Sequence, residues 1–371
     1  MKEIREILNE IAALPAGEKA VLATVVDLKG SGYRLPGARM LIKENGDATG
    51  TVSGGCLEAD VMERAKRVLE TGRAEVFTYD TTTHEDSVFS LNMGCRGVLR
   101  ILLEAVDGGS MLVRAVQISR ERREAQAVAT LISTDSTEVL NIGGRLFYSA
   151  FEQFDDDFLP NHIGASEKLS DAVKEFFSSA LTHSVTSIRI GAETVEFAFE
   201  RISPALQLYV LGAGADAAPL AEAAHGLGWE VNICDHRPAF LTAERFPTCD
   251  SLVSLNRDVA PEWHVDDLTA FVLMNHNYER DKAMLPGALR SKAFYVGALG
   301  PKKRTQQIVE ELGNPFDEEQ LSRLRSPAGL DIGADTPEAI AISIIAEIQS
   351  VLKHRSGGPL RDRQAPIYDR K

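Results

Sequence analysis

The sequence is poor in cysteine, and its cysteines lie far apart. Four cysteines are spread over 371 residues, at Cys56, Cys95, Cys234 and Cys249, and no two of them form a CxxC pair. A structural zinc site normally needs such pairs, so this spacing argues against one. We expect the four thiols to be reduced, as they are in most cytoplasmic proteins.

The sequence also lacks long apolar runs and an excess of positive charge. No stretch approaches the roughly 18 apolar residues of a membrane span. Residues 1–14 have an amphipathic helical pattern in place of a signal peptide's apolar core. The net charge of −14 argues against nucleic acid or an anionic membrane surface as the main partner. The composition therefore predicts a cytoplasmic globular protein with neither partner.

The length predicts more than one domain. A chain of 371 residues exceeds the usual size of one hydrophobic core. The pattern of strands and helices changes at Ser203–Pro204, which we take as the boundary. Residues 1–204 predict a mixed α/β domain, and residues 205–354 a Rossmann-like doubly wound parallel sheet, so the fold class is α/β. Residues 355–371, rich in Arg, Gly and Pro, predict a flexible tail.

A glycine-rich turn carries the first cysteine. Residues 50–58 read Gly-Thr-Val-Ser-Gly-Gly-Cys-Leu-Glu, and the residues after them have the apolar spacing of a helix. Cys56 is therefore expected where a helix begins. The backbone N–H groups of the turn, which includes Ser53, Gly54 and Gly55, would favour its thiolate there. The alternative is that Cys56 is a small buried residue in a tight turn.

Two further features of the N-terminal half point to a ligand site. Cys95 lies in a similar small-residue turn, Asn-Met-Gly-Cys-Arg-Gly, and Arg34 is the single arginine of a glycine-rich loop at residues 30–37. Thiols on such turns predict a soft-ligand or sulfur-handling site, with Cys56 and Cys95 as candidate metal or sulfur contacts. Arg34 is a candidate for binding an anionic group. The alternatives are buried thiols and an ordinary hairpin loop.

The C-terminal half carries a dinucleotide-binding fingerprint. An apolar strand at residues 207–211 precedes Gly-Ala-Gly-Ala-Asp-Ala, which contains Gly212 and Gly214 and opens a helix. Asp235 follows about twenty residues later, at the end of the next predicted strand, where an acidic residue often binds a ribose hydroxyl. These three residues are candidate nucleotide contacts.

Strands and helices continue to alternate beyond that fingerprint, and ligands of such sheets bind at the carboxyl ends of the strands. This rule selects His276, just past an apolar strand, as a candidate for proton transfer or ligand contact. It also selects the turn from Gly297 to Gly300, whose backbone N–H groups and basic sequel are suited to a phosphate. A solvated histidine and a plain strand-to-helix turn are the alternatives.

The last predicted helix is apolar on nearly all sides. It begins near Pro337 and runs to about Leu352, and it contains isoleucine at Ile340, Ile342 and Ile344. A helix of this kind is usually buried. We therefore expect it between domains or between subunits, which favours a homodimer.

The motifs together resemble those of the xanthine dehydrogenase accessory family (XdhC/CoxI-like). The resemblance covers roughly residues 15–105 and 205–350. The matching segments are 21–26, 30–31, 36–38, 53–58, 93–95, 212–214, 235–237, 295–300, 329–333 and 336–338.

The resemblance implies a maturation factor, or chaperone, that binds the molybdenum cofactor (molybdopterin), protects it for sulfuration and inserts it into xanthine dehydrogenase-type hydroxylases. The hydroxylase and a cysteine desulfurase would be its partners. The protein would be an accessory factor more than an enzyme, with Cys56, Cys95 and Arg34 near the metal or the arriving sulfur. Two alternatives stay open: an NAD(P)-dependent oxidoreductase that uses the Gly212 fingerprint, or a nucleotide-free docking scaffold.

Overall fold

The structure, a computed structural model, describes residues 2–82, 97–135, 141–150, 153–155, 166–190, 193–255, 263–365 and 367. The chain divides into two compact units, one from Glu3 to Pro204 and the other from Ala205 onward. Each unit has its own hydrophobic clusters.

The first unit begins with a five-stranded antiparallel sheet. Its strands are β1 (Ala20–Gly30), β2 (Arg39–Lys43), β3 (Ala48–Gly50), β4 (Glu75–Asp80) and β5 (Gly97–Val106), in the order β3-β2-β1-β5-β4. Asn45-Gly46 lies in the connection between β2 and β3, with Gly46 at φ +88°, a conformation that glycine adopts at little cost. The first seven residues of β1 are buried, which explains why its sequence is apolar without alternation.

Three helices flank this sheet: α1 (Lys2–Ala12), α2 (Glu58–Thr71) and α3 (Met111–Arg122). α2 buries Val61, Ala65 and Val68, spaced i, i+4 and i+7, against one face of the sheet. It ends at Gly72, whose left-handed conformation (φ 65°) lets its amide bond back to Val68. α1 and α3 contribute to the cluster on the opposite face. The sequence patterns did not predict α3.

A second five-stranded antiparallel sheet completes this unit. Its strands are β6 (Gln126–Thr134), β7 (Arg145–Tyr148), β8 (Gln153–Asp155), β9 (His183–Ile190) and β10 (Glu193–Ile202), in the order β8-β7-β6-β10-β9. Helix α4 (Glu167–Ser178) packs on it through Leu169, Val173 and Phe176.

Apolar side chains and a buried ion pair lie between the two sheets of the first unit. Arg39 on β2 donates two hydrogen bonds to Glu200 on β10, at 2.6 and 2.9 Å. These two residues line a cavity of about 20 Å³ together with Thr24 and His183. Within the described part of the chain, the Thr24 hydroxyl and His183 Nε2 are buried there without a hydrogen-bond partner, and His183 Nε2 lies 4.0 Å from Oε1 of Glu200. A cavity of this size and polarity has room for one water molecule.

The second unit is built on a six-stranded parallel sheet. Its strands are β11 (Gln207–Leu211), β12 (Glu230–Asp235), β13 (Ser251–Ser254), β14 (Thr269–Leu273), β15 (Tyr295–Ala298) and β16 (Leu324–Arg325), in the order β13-β12-β11-β14-β15-β16. Its helices are α5 (Ala217–Gly226), α6 (Tyr278–Arg290), α7 (Lys302–Glu311), α8 (Glu318–Ser322) and α9 (Pro337–Leu352). The strand order reverses between β11 and β14, the switch point of a doubly wound sheet. The predicted α/β class is confirmed.

α9 buries one face within its own unit. It buries Ala341, Ile344 and Ile348 within the core of its own unit, where it packs on α5. Ile342 projects away from that face and is 60 % exposed. Within its own unit α9 is therefore buried on one face, and burial of the Ile342 face against a second copy stays a prediction.

Two short elements at the edge of the second sheet were not predicted. α8 and β16 have five and two residues, too few for a hydrophobic period to show. After α9 the chain forms a short 3-10 helix, Leu360–Asp362. In the ranges given above, no helix is both long and apolar enough to cross a bilayer.

Candidate functional site

One carboxylate holds the turn between β3 and α2. Glu58, the first residue of α2, accepts four backbone amide bonds of 2.9–3.2 Å, from Ser53, Gly54, Gly55 and Leu57. The hydroxyls of Thr51 and Ser53 donate to the same carboxylate. Gly54 and Gly55 have φ values of +95° and +112°, so the turn requires glycine at both positions to aim its amides inward.

These contacts set the charge of Glu58. Burial raises the pKa of its carboxyl group, but the hydrogen bonds from Ser53, Thr51 and the turn's amides outweigh burial and lower the pKa to about 2. The carboxylate is therefore ionised at neutral pH. The amides of this turn already hold an anion, and that anion belongs to the protein itself.

Cys56 lies on the same turn with its side chain exposed to solvent. The expectation that the turn's amides face the Cys56 sulfur is wrong, because they donate to Glu58 instead. The alternative of a buried Cys56 is also wrong. Sequence reasoning missed Glu58 as the acceptor of these amides. Ser53 lies five positions before Glu58 and the N-cap residue is Leu57, so the spacing is not that of a capping box and gave no signal.

Tyr33 covers the turn from the neighbouring loop. A Cβ atom at Gly54 would lie 2.5 Å from a ring carbon of Tyr33, so the missing side chain makes room for the ring. The ring itself is 67 % exposed. The ring of Tyr33 and the Cys56 turn are therefore both exposed to solvent, on neighbouring loops of the first unit.

Arg34, next to Tyr33, is engaged within the protein. Its guanidinium donates to both carboxylate oxygens of Glu3, at 2.8 and 2.7 Å. Glu3 also accepts the amide of Arg39 at 3.2 Å. Arg34 therefore fastens its loop to α1, and an anionic ligand would have to compete with Glu3 for it. Cys95, the second predicted thiol, lies outside the described residues.

In the second unit, two loops meet at the switch point. Gly212 follows β11 with φ +124°, and a Cβ atom there would lie 2.5 Å from the carbonyl oxygen of Met274 at the end of β14. A Cβ at Gly214 would lie 3.7 Å from the ring of His276. Gly212 therefore lets the β11 and β14 loops approach closely, as the fingerprint predicts, whereas the contact at Gly214 is of ordinary length.

His276 sits on this junction in an unusual conformation. Its φ is +52°, a left-handed value that a non-glycine residue adopts at a cost and often at a functional site. Its Nε2 lies 2.6 Å from Oδ2 of Asp216, the residue before α5. The histidine is 62 % exposed and Asp216 only 15 %. The buried carboxylate therefore fixes the orientation of an exposed imidazole.

Asp235 is not oriented as a ribose ligand. Its Oδ2 accepts the amide of Ala213 at 2.8 Å, and Arg237 donates three bonds of 2.8–3.0 Å to the two carboxylate oxygens. The side chain has no solvent exposure. Burial raises the pKa of Asp235, yet the Arg237 and amide bonds lower it to about 2. The carboxylate has its acceptor sites filled by the protein.

The turn from Gly297 to Gly300 lies at the end of β15. Gly300 has φ +112°, and a Cβ at Gly297 would lie 2.8 Å from the ring of Tyr295, so both glycines are needed for the path of the chain. The basic residues that follow differ in whether they have a partner among the described residues of the protein. Arg304 pairs with the buried Asp281 at 2.6 Å, whereas Lys302 at the start of α7 is exposed.

No group of three or more His, Cys, Asp or Glu side chains in the described part of the chain is placed to hold a metal ion. The structure therefore brings the predicted residues together in two places. Ser53 to Cys56 form one candidate site in the first unit, and Gly212, Gly214 and His276 form another in the second.

Comparison with known proteins identifies the family. Residues 13–80 match the XdhC and CoxI family, and residues 208–348 match the XdhC Rossmann domain. The first match contains the Cys56 turn, and the second contains the β11–β14 switch point. The chain belongs to the XdhC and CoxI family.

Full-length relatives agree with this assignment. The chain is 30 % identical over 342 residues to a probable xanthine dehydrogenase subunit of Bacillus subtilis (strain 168), covering 91 % of this chain and 94 % of that protein. It is 24 % identical to the molybdenum cofactor insertion chaperone PaoD of Escherichia coli (strain K12), covering 93 % and 87 %. A crystal structure described as a xanthine dehydrogenase from Bacillus halodurans aligns with a TM-score of 0.75, 26 % identity and coverage of 96 % and 97 %.

Proposed function

We propose that this chain binds the molybdenum cofactor, protects it while sulfur is added, and inserts it into a xanthine dehydrogenase-type hydroxylase. The family supports this role, and so does the similarity to PaoD, whose name describes insertion of the same cofactor. The cofactor is cargo in this proposal, so the protein acts as a chaperone and not as an enzyme.

The observation that carries the proposal is the exposed Cys56 thiol on a turn that is fixed by Glu58. Sulfur is a soft ligand that suits molybdenum and sulfide chemistry better than oxygen does. Four backbone amides and two hydroxyls converge on Glu58, so the turn keeps its shape whether or not cargo is present. The thiol is thereby presented at a constant position at the start of a 14-residue helix.

The remaining needs of such a cargo are a pterin ring and an anionic phosphate. Tyr33 offers an exposed aromatic face close to the Cys56 turn for ring contact. The Gly212 turn and the Gly297–Gly300 turn lie at strand ends, where sheets of this type bind ligands. The hydroxylase, a cysteine desulfurase and a second copy of the chain are the proposed partners.

The proposal is tested by what the purified protein carries. Protein produced in a molybdenum-replete host is analysed by mass spectrometry, and apo-protein is titrated with molybdopterin. We expect one equivalent of the cofactor and weaker binding in Cys56→Ala, while Cys95→Ala tests the second predicted thiol. Cys249→Ala is the matched control, because Cys249 is half-buried and donates to the Phe246 carbonyl.

Two outcomes would contradict the proposal. Absence of molybdopterin binding by the wild-type chain would remove the function, and unchanged binding in Cys56→Ala would remove the thiol from it. A parallel titration with NADH addresses the oxidoreductase alternative. Saturable binding of NADH without binding of molybdopterin would favour that alternative.

A further inference from the structure

A pair of arginines lies beside the Gly212 turn, at the carboxyl end of β12. The guanidinium carbon of Arg237 lies 4.1 Å from the centre of the Phe240 ring, and that of Arg245 lies 4.7 Å from the same centre. Arg245 also donates to the carbonyl oxygens of Phe240 and Ala213, both at 3.1 Å. Two positive charges are therefore fixed against one ring next to the glycine-rich turn.

Of this pair, only Arg237 is bonded to the Asp235 carboxylate, whose charge it neutralises. Asp235 binds Arg237 through Nε and Nη2, which leaves Nη1 of Arg237 without a partner in the described ranges. The Arg237 side chain is 39 % exposed. No carboxylate in the described part of the chain pairs with Arg245. The cluster has a net positive charge in a protein whose overall charge is −14.

This arrangement favours a phosphate over a ribose diol. A diol would need a carboxylate with open acceptor sites, and those of Asp235 are filled by Ala213 and Arg237. A phosphomonoester carries up to two negative charges and several acceptor oxygens, which guanidinium groups bind through charge-assisted hydrogen bonds. The unpaired Nη1 of Arg237 supplies such donors.

We propose that Arg237 and Arg245, held against Phe240, form a site for the phosphomonoester group of a bound ligand. The group has two possible sources, the phosphate of a pterin cofactor or the 2′-phosphate of a dinucleotide. With the first source, the inference rests on the proposed function and adds to it the residues that hold the cofactor's phosphate. With the second, it stands apart from that function.

The test uses two ligand pairs that differ only in one phosphomonoester: NADPH with NADH, and molybdopterin with its dephosphorylated form. Affinities are measured by calorimetry on the full chain. We expect the phosphorylated member of at least one pair to bind at least tenfold more tightly. Arg237→Gln and Arg245→Gln should each reduce that ratio by about tenfold or more. The pair that shows the ratio identifies the source of the phosphate.

The controls separate binding from folding. Arg290→Gln is the matched variant, because Arg290 lies over Phe316 in the same unit but belongs to α6. It should leave the ratio unchanged. Arg237→Lys keeps the charge and should retain part of the ratio. A purely structural arginine would lower the melting temperature of its variant without changing the ratio of the two affinities.

Three results would overturn the inference: no binding of either phosphorylated ligand, ratios near one for both pairs in the wild type, or a ratio that survives in the double variant Arg237→Gln/Arg245→Gln. Failure of this inference can be distinguished from failure of the proposed function. Molybdopterin that binds equally with and without its phosphate would keep the function and remove the pterin source. Failure of molybdopterin to bind would leave the NADPH comparison intact.

Discussion

Replacing Glu58 by glutamine tests whether one carboxylate organises the Cys56 turn. Glutamine keeps one acceptor oxygen but places an NH₂ group where the second oxygen accepts bonds in the wild type. That second oxygen, Oε2, accepts the amides of Gly55 and Leu57 and the hydroxyl of Ser53. The glutamine NH₂ group therefore faces the N–H and O–H donors that Oε2 accepts in the wild type, while the volume of the side chain changes very little.

The structure bounds the size of the effect. The fall in the pKa of Glu58 from 4.5 to about 2 corresponds to at most about 3.4 kcal/mol. Glu58 is only half-buried, so solvent screening reduces its contribution to about 2 kcal/mol. A local opening equilibrium would shift by about 30-fold for that free energy.

Hydrogen–deuterium exchange is the suitable assay, because both tryptophans, Trp229 and Trp263, lie in the second unit and do not report on this turn. Exchange is followed in peptides that cover residues 50–70. We expect Glu58→Gln to exchange about 30-fold faster there at pH 6. Glu63→Gln on the same helix is the control, because Glu63 forms only an exposed pair with Lys66, and it should change exchange less than threefold.

The dependence on pH gives the sharper test. The folded-state pKa of Glu58 lies below its ordinary value, so the stabilisation is complete above about pH 4.5 and is lost as the pH falls towards 2. At pH 3 the wild type and Glu58→Gln should differ by well under tenfold. An equal difference at pH 6 and pH 3, or a Glu58→Gln protein that behaves like Glu63→Gln, would refute the assignment.

Three further predictions concern other parts of the chain. Arg39→Met should destabilise the first unit by about 3–5 kcal/mol in urea unfolding, because it leaves the Glu200 carboxylate buried without its partner; restored stability in a double variant that also replaces Glu200 would confirm the reason. Gly212→Ala should cost about 3 kcal/mol, since the new Cβ meets a backbone carbonyl at 2.5 Å and φ is +124°; an unchanged melting temperature would contradict this. Cys56 should react rapidly with a thiol reagent, whereas Cys234, which is buried and whose pKa burial raises, should react only on unfolding.

The sequence predicted the parts of the fold that repeat. Strand and helix alternate regularly after Pro204, and this rhythm located β11, β12 and β14 to within a residue or two. In the first unit the continuous apolar run of β1 and the Asn45-Gly46 hairpin were equally clear. Hydrophobic period and turn chemistry are local signals, so they can be read without knowing which elements meet.

The site was less predictable because its contacts are chosen in three dimensions. The two glycines correctly indicated a tight turn, but the sequence could not say which group would accept its amides. For the same reason the sequence did not indicate that Asp216 orients His276, because the two residues are 60 positions apart. Arg34 was predicted to bind an anionic group, but its partner is Glu3, which lies 31 positions earlier. Glu3 belongs to α1, and only the apolar residues of that helix entered the sequence prediction. Polar contacts between residues that are distant in sequence produce no periodic pattern from which they could be predicted.

The two glycine-rich turns therefore have one feature in common that changes what each unit offers to a ligand. The first was predicted to favour the Cys56 thiolate and the second to bind a nucleotide. In the structure the chain's own Glu58 accepts four amides of the first turn, and Asp235 accepts the Ala213 amide of the second. The first turn is therefore rigid and has few free amide donors. What remains for a ligand is the group that the turn supports: a thiol at Cys56 and an outward guanidinium at Arg237. Under the proposed function, recognition of the cofactor depends on the Cys56 sulfur and on arginine, and variants of the glycines act by changing the shape of the turns.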